Sequence, residues 1–245
     1  MNHSWQGAKL PGPLSADMIH VWRILLAADE RPSASFLQIL SPEEKQRATG
    51  FKFEADRRHF VVAHGVLRLL LSAYLRVSPE LLGLHPDTHG KPRLADQTGN
   101  SIRFNLSRSG ELALCAFAQG REVGVDVEKV SHDVDELAIA KRMFAQSEVN
   151  QLEALQGDER TAAFFTAWTR LEALAKASGR GLASISQGEV SLPSEEDGSS
   201  PVVAKGGPGH DATWRVISLQ PALGYAGAIA AEGAGWKIQC LEWLP

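Results

Sequence analysis

The stretch REVGVDVEKV, residues 121–130, places two acids inside an apolar run. Its valines and glycine predict a strand over residues 122–128. Because side chains two positions apart on a strand share a face, Asp126 and Glu128 project together. Burying two adjacent carboxylates is unfavourable unless a cation neutralises them, and ligands that are all oxygen favour Mg²⁺. The alternative is that the strand ends here and both acids are solvated, with Lys129 as a partner.

The composition narrows the classes of function. The chain has 245 residues, 44% of them hydrophobic, which suffices for one large domain or two small ones. Its net charge of −4 argues against a general nucleic-acid-binding protein. The two cysteines, Cys115 and Cys240, are too few for a disulfide framework and predict a reducing compartment. With no visible signal peptide, and with His64 and Arg68 in the most apolar helix candidate, we expect a cytoplasmic protein without a membrane span.

Secondary-structure signals predict an α+β protein of two similar halves, residues 1–120 and 121–245. Ser41, Pro42 and Glu44 form the capping box of one helix. Another helix is expected at about 55–76, and SRSG predicts a tight turn between two strands. The other predicted elements are strands at 18–26, 102–106, 111–118, 213–219, 224–231 and 236–242, helices at 134–155 and 159–177, and a mobile loop with short strands at 184–213.

A third carboxylate lies on the helix TAWTRLEALAKASGRGL, residues 166–182. Glu172 and Lys176 are four residues apart and share a helix face with Trp168. They could be a simple surface pair, but a neighbouring tryptophan that prefers burial is typical of the edge of a site. Glu148, in FAQSEVNQL, is a further candidate that could equally be an ordinary acid in the first turn of a helix.

Cationic residues occur on separate elements of the first half. Arg57 and Arg58 are adjacent at a predicted helix start, and Lys91 and Arg93 lie beside a Gly-Pro bend. Ser107 and Arg108 fall on the predicted SRSG turn. Each could be a solvated surface charge. Together with the acids of the second half, they could hold a metal-bound polyphosphate between the halves.

Five motifs in this order resemble the Sfp-type 4′-phosphopantetheinyl transferases. They are GKPRL, FNLSRSG, VGVDVEKV, FAQSE, and WTRLEALAK followed by GRGL. The upstream SPEEKQRATGFKFEADRRHF and the late PALGYAGAIAA also resemble that family, so the match spans roughly residues 20–230. The resemblance implies a monomer of two pseudo-symmetric α+β halves with the active site in the cleft between them.

The resemblance also implies an activity and a set of residue roles. Phosphopantetheine would move from coenzyme A to a serine of an acyl or peptidyl carrier protein of fatty acid, polyketide or nonribosomal peptide synthesis, releasing adenosine 3′,5′-bisphosphate. The residues 1–120 would hold the nucleotide side and 121–245 the metal. The implied metal ligands for Mg²⁺ are Asp126, Glu128 and Glu172, the implied catalytic residues are Glu172, Lys176 and Glu148, and the implied coenzyme A-binding residues are Arg47, Arg57, Arg58, Lys91, Ser107, Arg108 and Lys176.

Two positions depart from the family pattern. Arg108 stands where the family has histidine, and Leu171 stands where it has a lysine before the helix glutamate. Arginine can still bind phosphate but cannot carry a proton near neutral pH. Two alternatives therefore stay open at this point, a catalytically weakened module that binds coenzyme A or a carrier protein, and a Mg²⁺-dependent coenzyme A pyrophosphohydrolase.

Overall fold

The fold consists of two compact units. The computed structural model describes residues 4–27, 33–86, 92–95, 101–182, 185, 204–205 and 213–245. The N-terminal unit comprises Trp5–Gly120 together with Lys237–Pro245, and the C-terminal unit consists mainly of Arg121–Trp236. Mixed helices and strands in both units confirm the α+β class. Within the described ranges, no helix combines the length and the apolar character needed to cross a membrane.

The N-terminal unit packs three α-helices against a five-stranded sheet. Its elements are β1 (Gln6–Ala8), β2 (Met18–Leu25), α1 (Ser33–Ile39), α2 (Pro42–Thr49), α3 (Glu54–Leu75), a 3₁₀ turn (Pro79–Leu81), β3 (Leu84–Pro86), β4 (Pro92–Leu94), β5 (Ile102–Ser109) and β6 (Leu112–Gln119). The long helix α3 confirms the prediction for residues 55–76, and Phe60, Leu67 and Leu71 bury its apolar face.

The C-terminal unit sets three helices on a four-stranded sheet. Its elements are β7 (Val123–Lys129), α4 (Glu136–Met143), α5 (Gln146–Ala154), α6 (Gly157–Ser178), β8 (Ala204–Lys205), β9 (Thr213–Leu219) and β10 (Tyr225–Glu232). The strand order is β7-β10-β9-β8, and every pair is antiparallel. A Cβ atom added at Gly124 would lie 2.3 Å from the Ala173 carbonyl oxygen, so α6 lies directly on β7 at that point.

The last strand differs from the sequence-based division of the chain. β11 (Lys237–Trp243) pairs in parallel with β2 and with β1, which gives the N-terminal sheet the order β1-β11-β2-β6-β5. Residues 237–245 therefore belong with the N-terminal unit and not with 121–236. Local patterning predicted the strand itself but contains no signal for the partner to which it returns.

Two local predictions also needed correction. The single helix expected at 134–155 is divided into α4 and α5, because Phe144 and Ala145 adopt extended backbone conformations. The expected SRSG turn is shorter than predicted, since β5 continues through Ser109 and the chain reverses at Gly110, whose φ is 54°. Ser107 and Arg108 consequently lie in the strand, opposite Leu114 and Ala113 of β6. The predicted loop at 184–213 lies almost wholly outside the described residues.

Glu44 joins two helices of the N-terminal unit. The predicted capping box is confirmed: the Glu44 backbone N–H donates to Ser41 Oγ, and the Ser41 N–H donates to Glu44 Oε2 at 2.9 Å. From α3, Arg68 Nε donates to Glu44 Oε2 at 2.6 Å, and His64 Nδ1 lies 3.0 Å from Oε1. Burial lowers the pKa of His64, so the neutral ring donates its Nδ1–H to the carboxylate.

We expect Glu44→Gln to destabilise the protein in a pH-dependent way. Burial alone would raise the pKa of Glu44, but hydrogen bonds from His64 and Ser41 and the charge of Arg68 lower it from 4.5 to about 2. A carboxyl whose pKa is lowered by folding stabilises the native state above its unfolded pKa. That stabilisation is lost as the pH falls from 4.5 towards 2. The contribution at pH 7 is about 3 kcal/mol.

Urea denaturation at pH 7 and at pH 3.5 measures this effect. The free energy of unfolding of Glu44→Gln should lie about 3 kcal/mol below wild type at pH 7, with a smaller gap at pH 3.5. Glu54→Gln is the matched control, because Glu54 is 77% exposed and its pair with Arg57 spans 3.5 Å on the surface. An equal effect of the two substitutions would contradict the role of Glu44.

Candidate active site

Asp126 and Lys176 form a contact between β7 and α6. Asp126 is 1% exposed, and its neighbours on the strand, Val125 and Val127, are fully buried. Lys176 Nζ donates to Asp126 Oδ1 at 2.5 Å. The strand continues through Lys129, so the alternative in which it ends early and solvates both acids is wrong for Asp126. A buried carboxylate therefore lies against a lysine that is itself only partly buried.

Glu172 belongs to the same electrostatic group. It lies one helical turn before Lys176 on α6 and is half-buried. Burial raises the pKa of the Glu172 carboxyl, the Lys176 ammonium opposes this shift, and the charges of Asp126 and Glu128 add to it. The structure therefore brings together three of the predicted acids and the predicted lysine, all within the C-terminal unit. The spacing rules for strands and helices were sufficient to identify each pair.

Small residues lie opposite two of these acids on the neighbouring strand. Asp126 lies opposite Ala228 of β10, and Glu128 lies opposite Ala226. Both partners are small, so no bulky cross-strand side chain covers the carboxylates from the neighbouring strand. Glu128 itself is half-buried near the end of β7.

The donors of this group suit a hard cation in their chemistry. All three acids supply carboxylate oxygens, which magnesium prefers over nitrogen or sulfur. In the part of the chain that is described, no cluster of three or more His, Cys, Asp or Glu side chains has the spacing of a preformed metal cage. The Lys176 ammonium meets Asp126 Oδ1 instead.

Glu148 has a different environment. It is 5% exposed in the first turn of α5, and its Oε2 accepts the Ala145 backbone N–H at 2.8 Å. Burial raises the pKa of Glu148, whereas hydrogen bonds from the backbone N–H groups of Ala145 and Glu148 lower it. The contacts of Glu148 are thus those of an acid that caps the first turn of its helix, which is one of the two roles that the sequence left open.

In the N-terminal unit, Arg47 and Arg108 approach each other. The Arg47 Cζ lies 5.3 Å from the ring centroid of Phe60, and the Arg108 Cζ lies 5.3 Å from that of Phe51. Burial lowers the pKa of Arg108, the charge of Arg47 lowers it further, and Asp56 opposes both. Two arginines predicted to bind coenzyme A therefore lie close enough for their charges to repel each other. The aromatic residues beneath them were missed, although FKFEADRRHF contains a phenylalanine next to the predicted arginines.

The other residues predicted to bind coenzyme A lie in different environments. Arg57 pairs with Glu54 at 3.5 Å across one helical turn, and Arg58 is half-buried on α3. Ser107 is 8% exposed on β5. Lys91 lies outside the described residues.

The two departures from the family pattern also have defined places. Leu171 is 3% exposed and packs in the apolar core of the C-terminal unit. Arg170 is fully buried, and its Nη1 donates to Ser218 Oγ at 3.1 Å. Arg170 consequently does not replace the missing lysine as an exposed cation. The position at which the family has lysine is therefore part of the apolar core in this protein.

Comparisons with known proteins identify the family. The family model described as the 4′-phosphopantetheinyl transferase superfamily matches residues 122–230, and the one described as 4′-phosphopantetheinyl transferase, N-terminal, matches residues 29–119. The chain is 34% identical over 242 residues to the 4′-phosphopantetheinyl transferase HetI of Nostoc sp., with 97% of each chain covered.

Two relatives from Bacillus match less of their sequence. The 4′-phosphopantetheinyl transferase psf-1 of Bacillus pumilus is 28% identical over 221 residues, which cover 87% of this chain and 90% of that protein. The 4′-phosphopantetheinyl transferase Sfp of Bacillus subtilis is 29% identical over 147 residues, covering 60% and 63%. Among the three functions left open by the sequence, these relatives favour the transferase. The chain belongs to the 4′-phosphopantetheinyl transferase superfamily, and it is an enzyme that transfers phosphopantetheine from coenzyme A to carrier proteins.

Proposed function

We propose that the transfer depends on Mg²⁺ held by Asp126, Glu128 and Glu172. The observation that carries this proposal is the grouping of acids on β7 and α6, where the almost fully buried Asp126 contacts Lys176, one helical turn from Glu172. The charges of Asp126 and Glu128 add to the raised pKa of Glu172. Carboxylates that lie close together in a poorly solvated place raise each other's pKa, and a bound divalent cation would remove that repulsion. When bound, the cation would neutralise negative charge on the pyrophosphate of coenzyme A while its bond breaks.

The remaining steps use side chains of this protein. The serine hydroxyl of the carrier attacks the phosphorus that bears pantetheine, and adenosine 3′,5′-bisphosphate leaves with the electron pair of the broken P–O bond. The serine proton passes to a carboxylate, and we assign this role to Glu172. Glu148 is the less suitable base because its Oε2 already accepts a backbone N–H. Lys176 supplies positive charge to the departing phosphate.

The nucleotide end of coenzyme A would be bound by the cations of the N-terminal unit. The positive charges of Arg47 and Arg108 repel each other, and a bound phosphate would neutralise this repulsion. A bidentate arginine can replace a histidine in this role without carrying a proton. The full set that we propose for the nucleotide and its 3′-phosphate is Arg47, Arg57, Arg58, Lys91, Ser107 and Arg108.

The partner would be an apo acyl or peptidyl carrier protein. The proposed enzyme acts as a monomer, as the resemblance implies. A cytoplasmic location is part of the proposal and is supported by Cys115 and Cys240, which are both free and buried.

Intact-mass spectrometry of an apo carrier protein tests the proposal as a whole. The carrier is incubated with this protein and coenzyme A, with Mg²⁺ or with a chelator. We expect the carrier to gain one phosphopantetheine only when Mg²⁺ is present. If the carrier gains phosphopantetheine equally fast with the chelator, the transfer activity stands but the proposed role of the metal is wrong.

We expect Asp126→Asn to lower kcat/KM by at least ~100-fold, because it removes one charge from the proposed metal site while keeping the shape of the side chain. The Mg²⁺ concentration that gives half-maximal rate should also rise. Asp158→Asn is the matched control, since Asp158 lies on the same unit and its side chain is 96% exposed. If Asp126→Asn turns over at the rate of the control, the metal assignment is wrong.

Glu172→Gln and Glu148→Gln separate the two candidate bases. We expect Glu172→Gln to lower kcat by about 100-fold or more. Glu148→Gln should act mainly on stability, by about 1 kcal/mol, because it weakens a helix cap. Single-turnover rates and thermal unfolding of both variants measure this difference. A larger loss of kcat in Glu148→Gln would move the base to α5.

A further inference from the structure

Arg47 and Arg108 each lie over an aromatic ring. Neither arginine forms an ion pair with a carboxylate among the described residues, although the charge of Asp56 reaches Arg108. Each guanidinium instead lies 5.3 Å from a ring centroid, Arg47 over Phe60 and Arg108 over Phe51. A cation over an aromatic face is attracted by the ring but keeps its hydrogen-bond donors for another partner.

The two rings form one support. The centroids of Phe51 and Phe60 lie 5.3 Å apart, and Phe60 is fully buried. His64 stacks on Phe60 with the centroids 4.0 Å apart, and His64 is hydrogen-bonded to Glu44. The support is thus connected to the buried Glu44–Arg68 pair that joins α2 to α3. A rigid base of this kind can hold two like charges close together before any anion binds.

We propose that Phe51 and Phe60 are positioning residues that set the enzyme's specificity for the 3′-phosphate of coenzyme A, by holding Arg108 and Arg47 at a spacing that fits one phosphate monoester. This inference rests on the proposed role of the two arginines in binding the nucleotide. A phosphate monoester carries up to two negative charges, which match the two guanidinium groups. Ground-state binding of the 3′-phosphate is therefore the quantity that the rings control.

The competing role of the two phenylalanines is simple core packing. Packing alone would change the amount of folded enzyme, and with it the rates for every substrate together. The preference for coenzyme A over 3′-dephospho-coenzyme A is a ratio of two kcat/KM values measured on one preparation. It does not depend on how much of the protein is folded, so it distinguishes positioning from packing even for the fully buried Phe60.

The experiment measures kcat and KM with both substrates for wild type, Phe51→Leu, Phe51→Tyr and Phe60→Leu. We expect each leucine variant to lower the preference for coenzyme A by about 5- to 30-fold, through a higher KM for coenzyme A and an unchanged kcat. The KM for 3′-dephospho-coenzyme A should stay at the wild-type value. Phe51→Tyr keeps the ring and should keep the preference.

Phe53→Leu is the matched control. Phe53 is 60% exposed and lies under Lys52, with the ammonium 5.4 Å from the ring centroid, so the same change removes a similar contact with a cation outside the proposed site. Its preference should equal that of wild type. Equal losses for both substrates in Phe51→Leu, or no recovery of the preference in Phe51→Tyr, would overturn the inference and leave packing as the role of the ring.

Arg108→Ala separates this inference from the function on which it rests. If Arg108→Ala loses the preference but Phe51→Leu keeps it, the arginine binds the 3′-phosphate and only the positioning role is overturned. If wild type itself shows no preference, or Arg108→Ala retains it, the proposed nucleotide site fails and the inference fails with it. The conclusion that the wild-type enzyme transfers phosphopantetheine, which is tested by the mass of the carrier, does not depend on either result.

Discussion

At Gly124 the helix α6 lies directly on strand β7, with no side chain between the two backbones. A methyl group at this position would come within 2.3 Å of the Ala173 carbonyl oxygen, so any other residue would force the helix away from the strand. This close approach lets Lys176 reach Asp126 and brings Glu172 into the field of the acids on β7. The contact between Lys176 and Asp126 therefore depends on a glycine that has no reactive side chain.

Each unit holds side chains of like charge near one another, negative in the C-terminal unit and positive in the N-terminal unit. In the C-terminal unit the charges of Asp126 and Glu128 act on Glu172, and in the N-terminal unit two arginines repel each other over aromatic rings. Apolar packing holds these like charges close together. In the C-terminal unit α6 packs on its sheet, and in the N-terminal unit Phe60 stacks on His64. Under the proposed function, a divalent cation would supply the opposite charge to the acids, and the 3′-phosphate of coenzyme A would supply it to the arginines.

Much of this could be predicted from the sequence because it depends on local periodicity. Spacings of two on a strand and four on a helix identified Asp126 with Glu128 and Glu172 with Lys176. The parts that failed depend either on distant pairing or on the exact length of a local element. Strand β11 has an ordinary pattern but returns to the N-terminal sheet, and the reversal after β5 is one short turn, which moves Arg108 from a predicted loop into a strand. The rings under the arginines are tertiary contacts, and no spacing rule gives them.

The most direct test of the carboxylate group is a crystal structure of the protein with coenzyme A and Mn²⁺, which substitutes for Mg²⁺ and can be located by its anomalous scattering. We expect one anomalous peak within coordination distance of oxygens from Asp126, Glu128 and Glu172, together with the pyrophosphate. Coenzyme A bound with Mn²⁺ located away from these three acids, or with Lys176 still holding Asp126 and no metal bound, would contradict the assignment on which the proposed mechanism depends.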